Sequence, residues 1–299
     1  MRVSTGIRGG RAASVAADLL ALTKPRIVSL LLVTAACGYL AGAGGHVRLT
    51  VLFAVVGGGA LAAGGANALN CALDRDLDLV MARTRGRPIP GGRVPVDDAV
   101  VMGLAMNAAA YLWLRDVANP VAADLAIAGT VWYVFVYTAW LKRRSTQNIV
   151  IGGAAGCFPP LVGWAAATGS LDATALTLAL VVFLWTPAHF WALATLLRDD
   201  YRRAKVPMLP AVVSIRETAR RAFVYAVGTA IVSVAPVLWG GAGPLYVVSA
   251  AGLGAVFVVR AEDFRRRADT RSAGRLFRYS IVYLAALFLV LVVDSTIRS

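Results

Sequence analysis

Three polar side chains, Asn70, Asp74 and Asp78, follow one another at four-residue intervals where the second long apolar stretch of the chain ends. On a helix, residues four apart lie on nearly the same face. Carboxylates at membrane depth are costly for folding alone, which favours a functional role. Mg²⁺ prefers a few carboxylates and completes its shell with water and phosphate oxygens. This acidic triad therefore predicts a Mg²⁺ site at the membrane surface.

A basic loop follows the acidic triad. It contains Arg83, Arg85 and Arg87, and a guanidinium group can bind phosphate oxygens through two hydrogen bonds. We expect these arginines to clamp a diphosphate beside the metal. Asp76 lies on the other side of the same helix and is expected to face solvent or a loop arginine. The combination predicts a membrane-embedded site for a lipid diphosphate.

A second acidic cluster begins at Asp199 and Asp200 and continues into arginines. We expect Asp200 to be a further metal ligand, with Arg202 or Lys205 on phosphate oxygens. The alternative is an ordinary charged turn. The following Val-Pro-Met-Leu-Pro segment at 206–210 argues against that alternative, because two prolines among apolar residues indicate a rigid stretch packed on the protein.

His189 is one of only two histidines and lies in the aromatic segment Trp185-Thr-Pro-Ala-His-Phe-Trp191. A histidine among apolar residues is often a packing residue. With Trp185 one turn earlier, His189 could instead orient a large flat aromatic substrate or ligate its iron.

Two further polar residues lie between the fourth and fifth apolar runs. Lys142 is either a topological anchor or a contact to the diphosphate, and Asn148 either caps the next helix or bonds the acceptor substrate.

Long apolar helices must position these side chains. Hydrophobic residues make up 59% of the 299-residue chain. About 20 apolar residues cross a bilayer, and without water each crossing segment must be helical. The sequence predicts an all-α integral membrane protein, a bundle of nine transmembrane helices around a central cavity: 27–44, 49–72, 99–114, 121–140, 149–168, 174–196, 222–240, 244–259 and 277–294.

The net charge of +14 follows the predicted topology. Alternating the loops between the two sides of the membrane places 27 of the 30 lysines and arginines on one side. This positive-inside pattern predicts a cytoplasmic N-terminus, active-site loops on the cytoplasmic side and location in the cell (plasma) membrane. Because the charge is spread over topological loops, we expect no nucleic-acid partner. The three cysteines have unrelated spacings and indicate neither zinc nor a disulfide framework.

We predict two parts of the chain: a basic flexible tail at 1–21 and a single transmembrane domain at 22–299. Within the domain, the loops at 73–98 and 197–221 are separated by four predicted helices, and both begin with aspartates and continue with arginines. We interpret this as a distant internal duplication whose two acidic ends face each other across the cavity.

These motifs resemble the UbiA superfamily of intramembrane prenyltransferases, and within it the branch that modifies heme. The shared blocks run from residue 22 to 210: Leu22-Thr-Lys-Pro-Arg26, Asn70-Cys-Ala-Leu-Asp-Arg-Asp-Leu-Asp78, Arg83-Thr-Arg-Gly-Arg-Pro88, the glycine-rich block at 147–156, Phe158-Pro-Pro-Leu-Val-Gly-Trp164, Trp185-Thr-Pro-Ala-His-Phe-Trp191, Asp200-Tyr201 and Val206-Pro-Met-Leu-Pro210. This chain departs from the family pattern at Ala188, where proline is usual, and at Lys205, where glycine is usual.

The resemblance implies a UbiA-type fold and transfer of a farnesyl group from farnesyl diphosphate to a vinyl group of heme B, with Mg²⁺ as the cofactor. The modified heme would pass to terminal oxidases, so a downstream heme-modifying enzyme or oxidase assembly is an expected partner, together with the lipid bilayer. One alternative is a superfamily member that prenylates 4-hydroxybenzoate or a naphthoquinone precursor. Another is a cation-coupled transporter with Asp74 and Asp78 as ion ligands.

Overall fold

Helices form nearly all of the chain, as the apolar runs predict. A computed structural model of the protein describes residues 6–298, with side chains from residue 15 onward, and this part contains no β-strand. The α-helices are α1 (Gly6–Thr23), α2 (Pro25–Gly42), α3 (Leu49–Leu73), α4 (Arg75–Val80), α5 (Val96–Val117), α6 (Pro120–Val131), α7 (Asn148–Gly152), α8 (Phe158–Thr168), α9 (Ala173–Leu196), α10 (Arg198–Arg203), α11 (Leu209–Val212), α12 (Ile215–Ser233), α13 (Pro244–Arg267) and α14 (Thr270–Arg298).

The chain is a multi-pass membrane protein, and eight helical segments in its described part are long and apolar enough to cross a bilayer. These segments are Pro25–Gly42, Leu49–Leu73, Pro120–Arg143, Asn148–Thr168, Ala173–Leu196, Ile215–Trp239, Pro244–Arg267 and Thr270–Arg298. They correspond to eight of the nine predicted spans.

The remaining predicted span, at 99–114, is present as α5 but is not supported as a membrane crossing. Asn107, Arg115 and Asp116 fall within the length of α5 and reduce its apolar character. The helix packs closely along α3, since a Cβ atom added at Gly65 would lie 2.6 Å from the carbonyl oxygen of Gly103. Small residues therefore keep α5 in the bundle.

The expected flexible tail contains a helix, α1. Residues 1–5 of that tail lie outside the described residues. Near the end of α1, Leu22 is fully buried, and the carboxylate of Asp18 accepts a hydrogen bond of 3.0 Å from Arg93. The last turns of the tail are thus attached to the loop before α5.

Two of the spans are irregular near the acidic loops. The span that begins with α6 continues as a π-helix over Trp132–Trp140 and ends in a 3₁₀ turn, and a 3₁₀ turn at Gly153–Cys157 separates α7 from α8. These stretches are in close contact, because a Cβ atom added at Gly152 would lie 2.4 Å from the ring of Tyr137. π-Helical turns occur frequently at functional sites.

The two acidic loops meet. The backbone N–H of Ala82, in the loop after α4, donates a hydrogen bond of 3.2 Å to Oδ1 of Asp200 in α10. The two loops are therefore in contact, whereas the internal duplication and the facing of the two acidic ends across a cavity stay predictions. We call the end of the bundle that carries α4, α10 and their loops the polar end.

Candidate active site

The acidic triad has the helical register that its spacing predicts. α3 ends at Leu73 and α4 begins at Arg75, yet the i to i+4 hydrogen bonds continue across the junction. The N–H of Asp74 donates to the Asn70 carbonyl at 2.9 Å, and the N–H of Asp78 donates to the Asp74 carbonyl at 2.8 Å. The side chains of all three residues are buried. They form one polar face inside the bundle.

Two lysines from distant segments converge on the first half of the triad. Nζ of Lys24 donates to Oδ1 of Asn70 at 2.6 Å, and Lys142 forms an ion pair with Oδ2 of Asp74. The amide nitrogen of Asn70 also donates to Oδ2 of Asp74, at 2.8 Å. Asp74 Oδ1 is buried and has no hydrogen-bond partner among the described residues. Asp74 Oδ1 is therefore a buried carboxylate oxygen available to Mg²⁺, whereas Oδ1 of Asn70 is held by a lysine. The described residues contain no group of three or more His, Cys, Asp or Glu side chains placed to hold a metal ion, so a site here would need the Asn70 amide and phosphate oxygens as further ligands.

The third triad residue attaches the basic loop. Arg87 donates to both carboxylate oxygens of Asp78, at 3.0 and 2.8 Å, and the hydroxyl of Thr84 donates to the Asp78 backbone carbonyl at 3.0 Å. Both bonds come from Nη1 of Arg87, and this charge-assisted contact holds the loop against α4. Arg83 and Arg85 are exposed, and Arg83 lies beside the buried hydroxyl of Tyr201.

Cations outnumber carboxylates around the triad. Lys24, Lys142 and Arg87 surround Asp74 and Asp78. Burial lowers the pKa of Lys24 to about 8; Arg87 and Lys142 act in the same direction, while Cys71 and Asp74 oppose it. A multivalent anion would relieve this repulsion, so the site suits a diphosphate.

Lys24 also has an unusual backbone conformation. Its φ angle is +52°, in the left-handed region, and it is followed by Pro25 at the start of α2. A left-handed conformation costs a non-glycine residue roughly 1–2 kcal/mol. The turn places the side chain against Asn70, and such strain is common at functional sites.

Asp76 behaves as its position on the opposite face predicts. It is exposed and forms two hydrogen bonds of 2.6 Å with Arg143, which lower its pKa to about 2. A cleft of about 470 Å³ lies beside this pair, lined by Ala72, Leu73, Arg75, Asp76, Thr138, Ala139 and Arg143.

The second acidic cluster is more exposed. Asp200 forms an ion pair with Arg203, three residues later, in addition to its contact with Ala82. Arg202 is exposed and donates to the Ala211 carbonyl at 3.2 Å. Lys205 is also exposed, and its φ angle is +53°, which explains why glycine suits this position.

The sequence analysis missed Thr138, which contacts the triad from the π-helix. Its hydroxyl accepts a hydrogen bond of 3.0 Å from the Asn70 amide and donates one of 2.8 Å to the Tyr133 carbonyl. The hydroxyl of Tyr133 donates to the Asn67 side chain at 3.3 Å. No sequence motif marks Thr138, because the π-helical register differs from that of an α-helix.

His189 and Trp185 form an aromatic cluster between α9 and α14. Their rings stack with centroids 4.1 Å apart, and Phe277 covers His189 from another side at 4.9 Å. Nδ1 of His189 lies 2.6 Å from Oγ of Ser280, and the Trp185 indole donates to the Ser280 carbonyl at 2.9 Å. Phe277 and Ser280 lie in a helix that carries no motif, so the sequence analysis missed them.

Asn148 is fully buried at the start of α7. Its amide nitrogen lies 3.5 Å from the Lys142 carbonyl, and its amide oxygen has no partner among the described residues. The side chain does not cap α7. It lies against the turn that carries Lys142 and leaves an oxygen for a further donor.

Comparisons with known proteins agree with these features. A model of the UbiA prenyltransferase family matches residues 31–290 of the chain. The protoheme IX farnesyltransferase of Trichodesmium erythraeum is 49% identical, over 92% of this chain and 84% of that protein. The protein of the same name from Gloeobacter violaceus is 47% identical, over 93% of this chain and 92% of its own length. The one from Thermus thermophilus is 48% identical over 94% of this chain, which spans 46% of that longer protein.

Solved structures share the fold at low identity. A digeranylgeranylglyceryl phosphate synthase superposes with a TM-score of 0.77 at 16% identity, covering 95% of this chain and 99% of that one. A UbiA homolog from Archaeoglobus fulgidus bound to DMAPP and Mg²⁺ gives a TM-score of 0.70 at 14% identity, covering 91% of this chain and 99% of that one. The all-helical architecture is therefore that of the UbiA fold.

Proposed function

Because this chain belongs to the UbiA prenyltransferase family, we propose that it transfers a farnesyl group from farnesyl diphosphate to a vinyl group of heme B. The products are heme O and diphosphate, as in the heme O synthase reaction. The observation that carries the proposal is the buried acidic triad with its surplus of cations. The identity of 45–49% to relatives named protoheme IX farnesyltransferase supports the choice of substrates.

The residues around the triad would bind the diphosphate. Asn70, Asp74 and Asp78 would hold Mg²⁺, with Asp200 as a further ligand, and the ion would neutralise charge on the departing diphosphate. Lys24, Lys142 and the loop arginines would contact its oxygens. Arg202 and Lys205 would act from the second loop. The unpartnered Oδ1 of Asp74 supports the metal role.

The aromatic cluster would bind the acceptor. Heme B is a large flat ring that carries iron, and His189, stacked on the buried ring of Trp185, would meet that iron with its free ring nitrogen. Departure of diphosphate leaves an allylic cation at the farnesyl C1, the vinyl group attacks that carbon, and water adds to the resulting cation with loss of a proton. A dry chamber protects the first cation from water. Asn148, with its free amide oxygen, would contact the acceptor side.

The proposal includes an orientation. The polar end and the N-terminus would lie on the cytoplasmic side of the cell membrane, because alternation of the nine spans predicted from the sequence, α5 included, places 27 of the 30 lysines and arginines on that side. The farnesyl chain would lie among the helices. The product would be passed to a heme-modifying enzyme or a terminal oxidase assembly.

The deciding experiment supplies purified protein with heme B, farnesyl diphosphate and Mg²⁺, followed by mass analysis of the heme. The expected result is a farnesylated, hydrated heme that forms only with Mg²⁺ and disappears when the ion is chelated. A parallel reaction contains 4-hydroxybenzoate instead of heme. Prenylation of the benzoate without prenylation of heme would contradict the proposal.

A further inference from the structure

We propose that Ser280 is a positioning residue that holds His189 in a single tautomer, with Nδ1 protonated and the Nε2 lone pair directed at the substrate iron. This inference rests on the proposed function, since it assumes that heme is the acceptor. It concerns a residue in α14, far in sequence from every motif. The evidence is the way in which the ring of His189 is enclosed.

Three of the four sides of the imidazole are occupied. Trp185 stacks on one face with the ring planes 17° apart, and Phe277 packs at 35° with its centroid 4.9 Å away. The Nδ1 edge lies against Ser280. The Nε2 atom has no hydrogen-bond partner among the described residues, and it is not among their fully buried unpartnered polar atoms. His189 is only partly buried, so Nε2 is the ring nitrogen that remains available to a ligand.

The proton on Ser280 decides the tautomer. Ser280 Oγ lies 2.6 Å from Nδ1 of His189 and 2.7 Å from the carbonyl oxygen of Phe277. Two oxygens at 2.7 Å need a proton between them, because that distance is typical of an O–H···O hydrogen bond. The carbonyl has no proton, so the serine hydroxyl donates to Phe277. Oγ must then accept from Nδ1–H of His189.

A neutral imidazole with a proton on Nδ1 has a lone pair on Nε2. This is the form that ligates iron, and a hydrogen bond to the opposite nitrogen orients the ring and raises its basicity. The backbone of Ser280 adds to this arrangement, since its carbonyl accepts the indole N–H of Trp185 at 2.9 Å. Ser280 thus positions both His189 and Trp185.

The tautomer can be measured in the unmodified protein. The chain has two histidines, His46 and His189, so ¹⁵N-histidine labelling gives two pairs of ring signals, and His189→Gln identifies the relevant pair. In lipid-reconstituted protein we expect solid-state NMR to show protonated Nδ1 and unprotonated Nε2 for His189. The opposite tautomer would overturn the inference, whatever any variant does.

The second test measures porphyrin binding by Ser280→Ala and Ser280→Thr. We expect Ser280→Ala to bind ferric heme B about 10-fold more weakly, with loss of the iron–imidazole absorption signature, since that is the usual effect of removing such a partner. Binding of metal-free protoporphyrin IX should be unchanged, because it offers no axial position. Ser280→Thr keeps the hydroxyl and should restore the signature.

Ser233→Ala is the matched control. Ser233 is also fully buried in a helix, and its hydroxyl group bonds Tyr283 at 2.6 Å and the Thr229 carbonyl at 2.8 Å. It should leave both porphyrins unaffected. Equal weakening of heme and metal-free porphyrin by Ser280→Ala would show that Ser280 only packs. Failure of the wild-type protein to farnesylate heme would contradict the proposed function instead, which keeps the two failures distinct.

Discussion

The two acidic segments at the polar end are alike in sequence and different in surroundings. Each follows a long apolar helix and leads into arginines. In the first, Asp74 and Asp78 are 1% and 3% exposed, and the lysines around the triad come from residues 24 and 142. In the second, the side chain of Asp200 is 12% exposed and pairs with Arg203 one turn away, whose side chain is 54% exposed.

This difference in burial distinguishes the segment proposed to carry out the reaction from the segment proposed to assist it. Burying a charge costs several kcal/mol unless partners compensate it. A local pair with one exposed partner, such as Asp200 with Arg203, needs less compensation and contributes less to stability. Buried carboxylates compensated by cations from three separate segments are costly to assemble, which supports the proposal that the first segment performs the central step. The second segment would assist through its contact with Ala82.

The largest effect is expected from the first segment. Asp74→Asn and Asp78→Asn each remove one negative charge from the proposed metal site with almost no change in shape. We expect turnover of heme B to fall about 100-fold to 1000-fold, the range seen when a group that stabilises developing charge is removed. Product formation by purified, membrane-inserted protein is the measurement.

Asp76→Asn is the matched control for these variants. It makes the same chemical change in the same helix, but Asp76 is 60% exposed and pairs with Arg143. Its activity should stay close to that of the wild-type protein. Thermal unfolding of all three variants checks that they are folded. Activity retained by Asp74→Asn or Asp78→Asn would refute the metal role.

A smaller effect is expected from the second segment. Asp200→Asn should lower kcat about 10-fold, since its carboxylate is a single further ligand at a partly exposed position. Arg203→Gln removes its local partner and should have almost no effect. A loss with Asp200→Asn as large as that with Asp74→Asn would show that the two segments contribute equally to the reaction.

The sequence could predict the features that depend on local geometry, but not those that depend on contacts between distant segments. Apolar runs located eight spans, and four-residue spacing gave the register of the triad, because both depend on local geometry. The contacts of Lys24 with Asn70 and of Lys142 with Asp74 depend on packing between distant segments. Thr138 was missed because a π-helix shifts its register, and Ser280 because its role depends on which helix α9 faces.

The smallest effect concerns Lys205, which is proposed to contact the diphosphate. Lys205→Gly should stabilise the protein by up to about 1 kcal/mol, because glycine adopts its φ of +53° without strain. The same variant should raise the KM for farnesyl diphosphate by about 2-fold to 5-fold, as expected for one exposed cation. Thermal unfolding and steady-state kinetics measure the two effects.

Ala268→Gly separates these two effects of Lys205→Gly. Ala268 follows α13 with a φ of +49°, and it is not one of the proposed site residues. Glycine there should relieve similar strain and leave the KM unchanged. If both variants gain stability and neither changes the KM, Lys205 is not a diphosphate contact. The second segment would then assist through Asp200 and Arg202 alone, which would widen the contrast with the first segment.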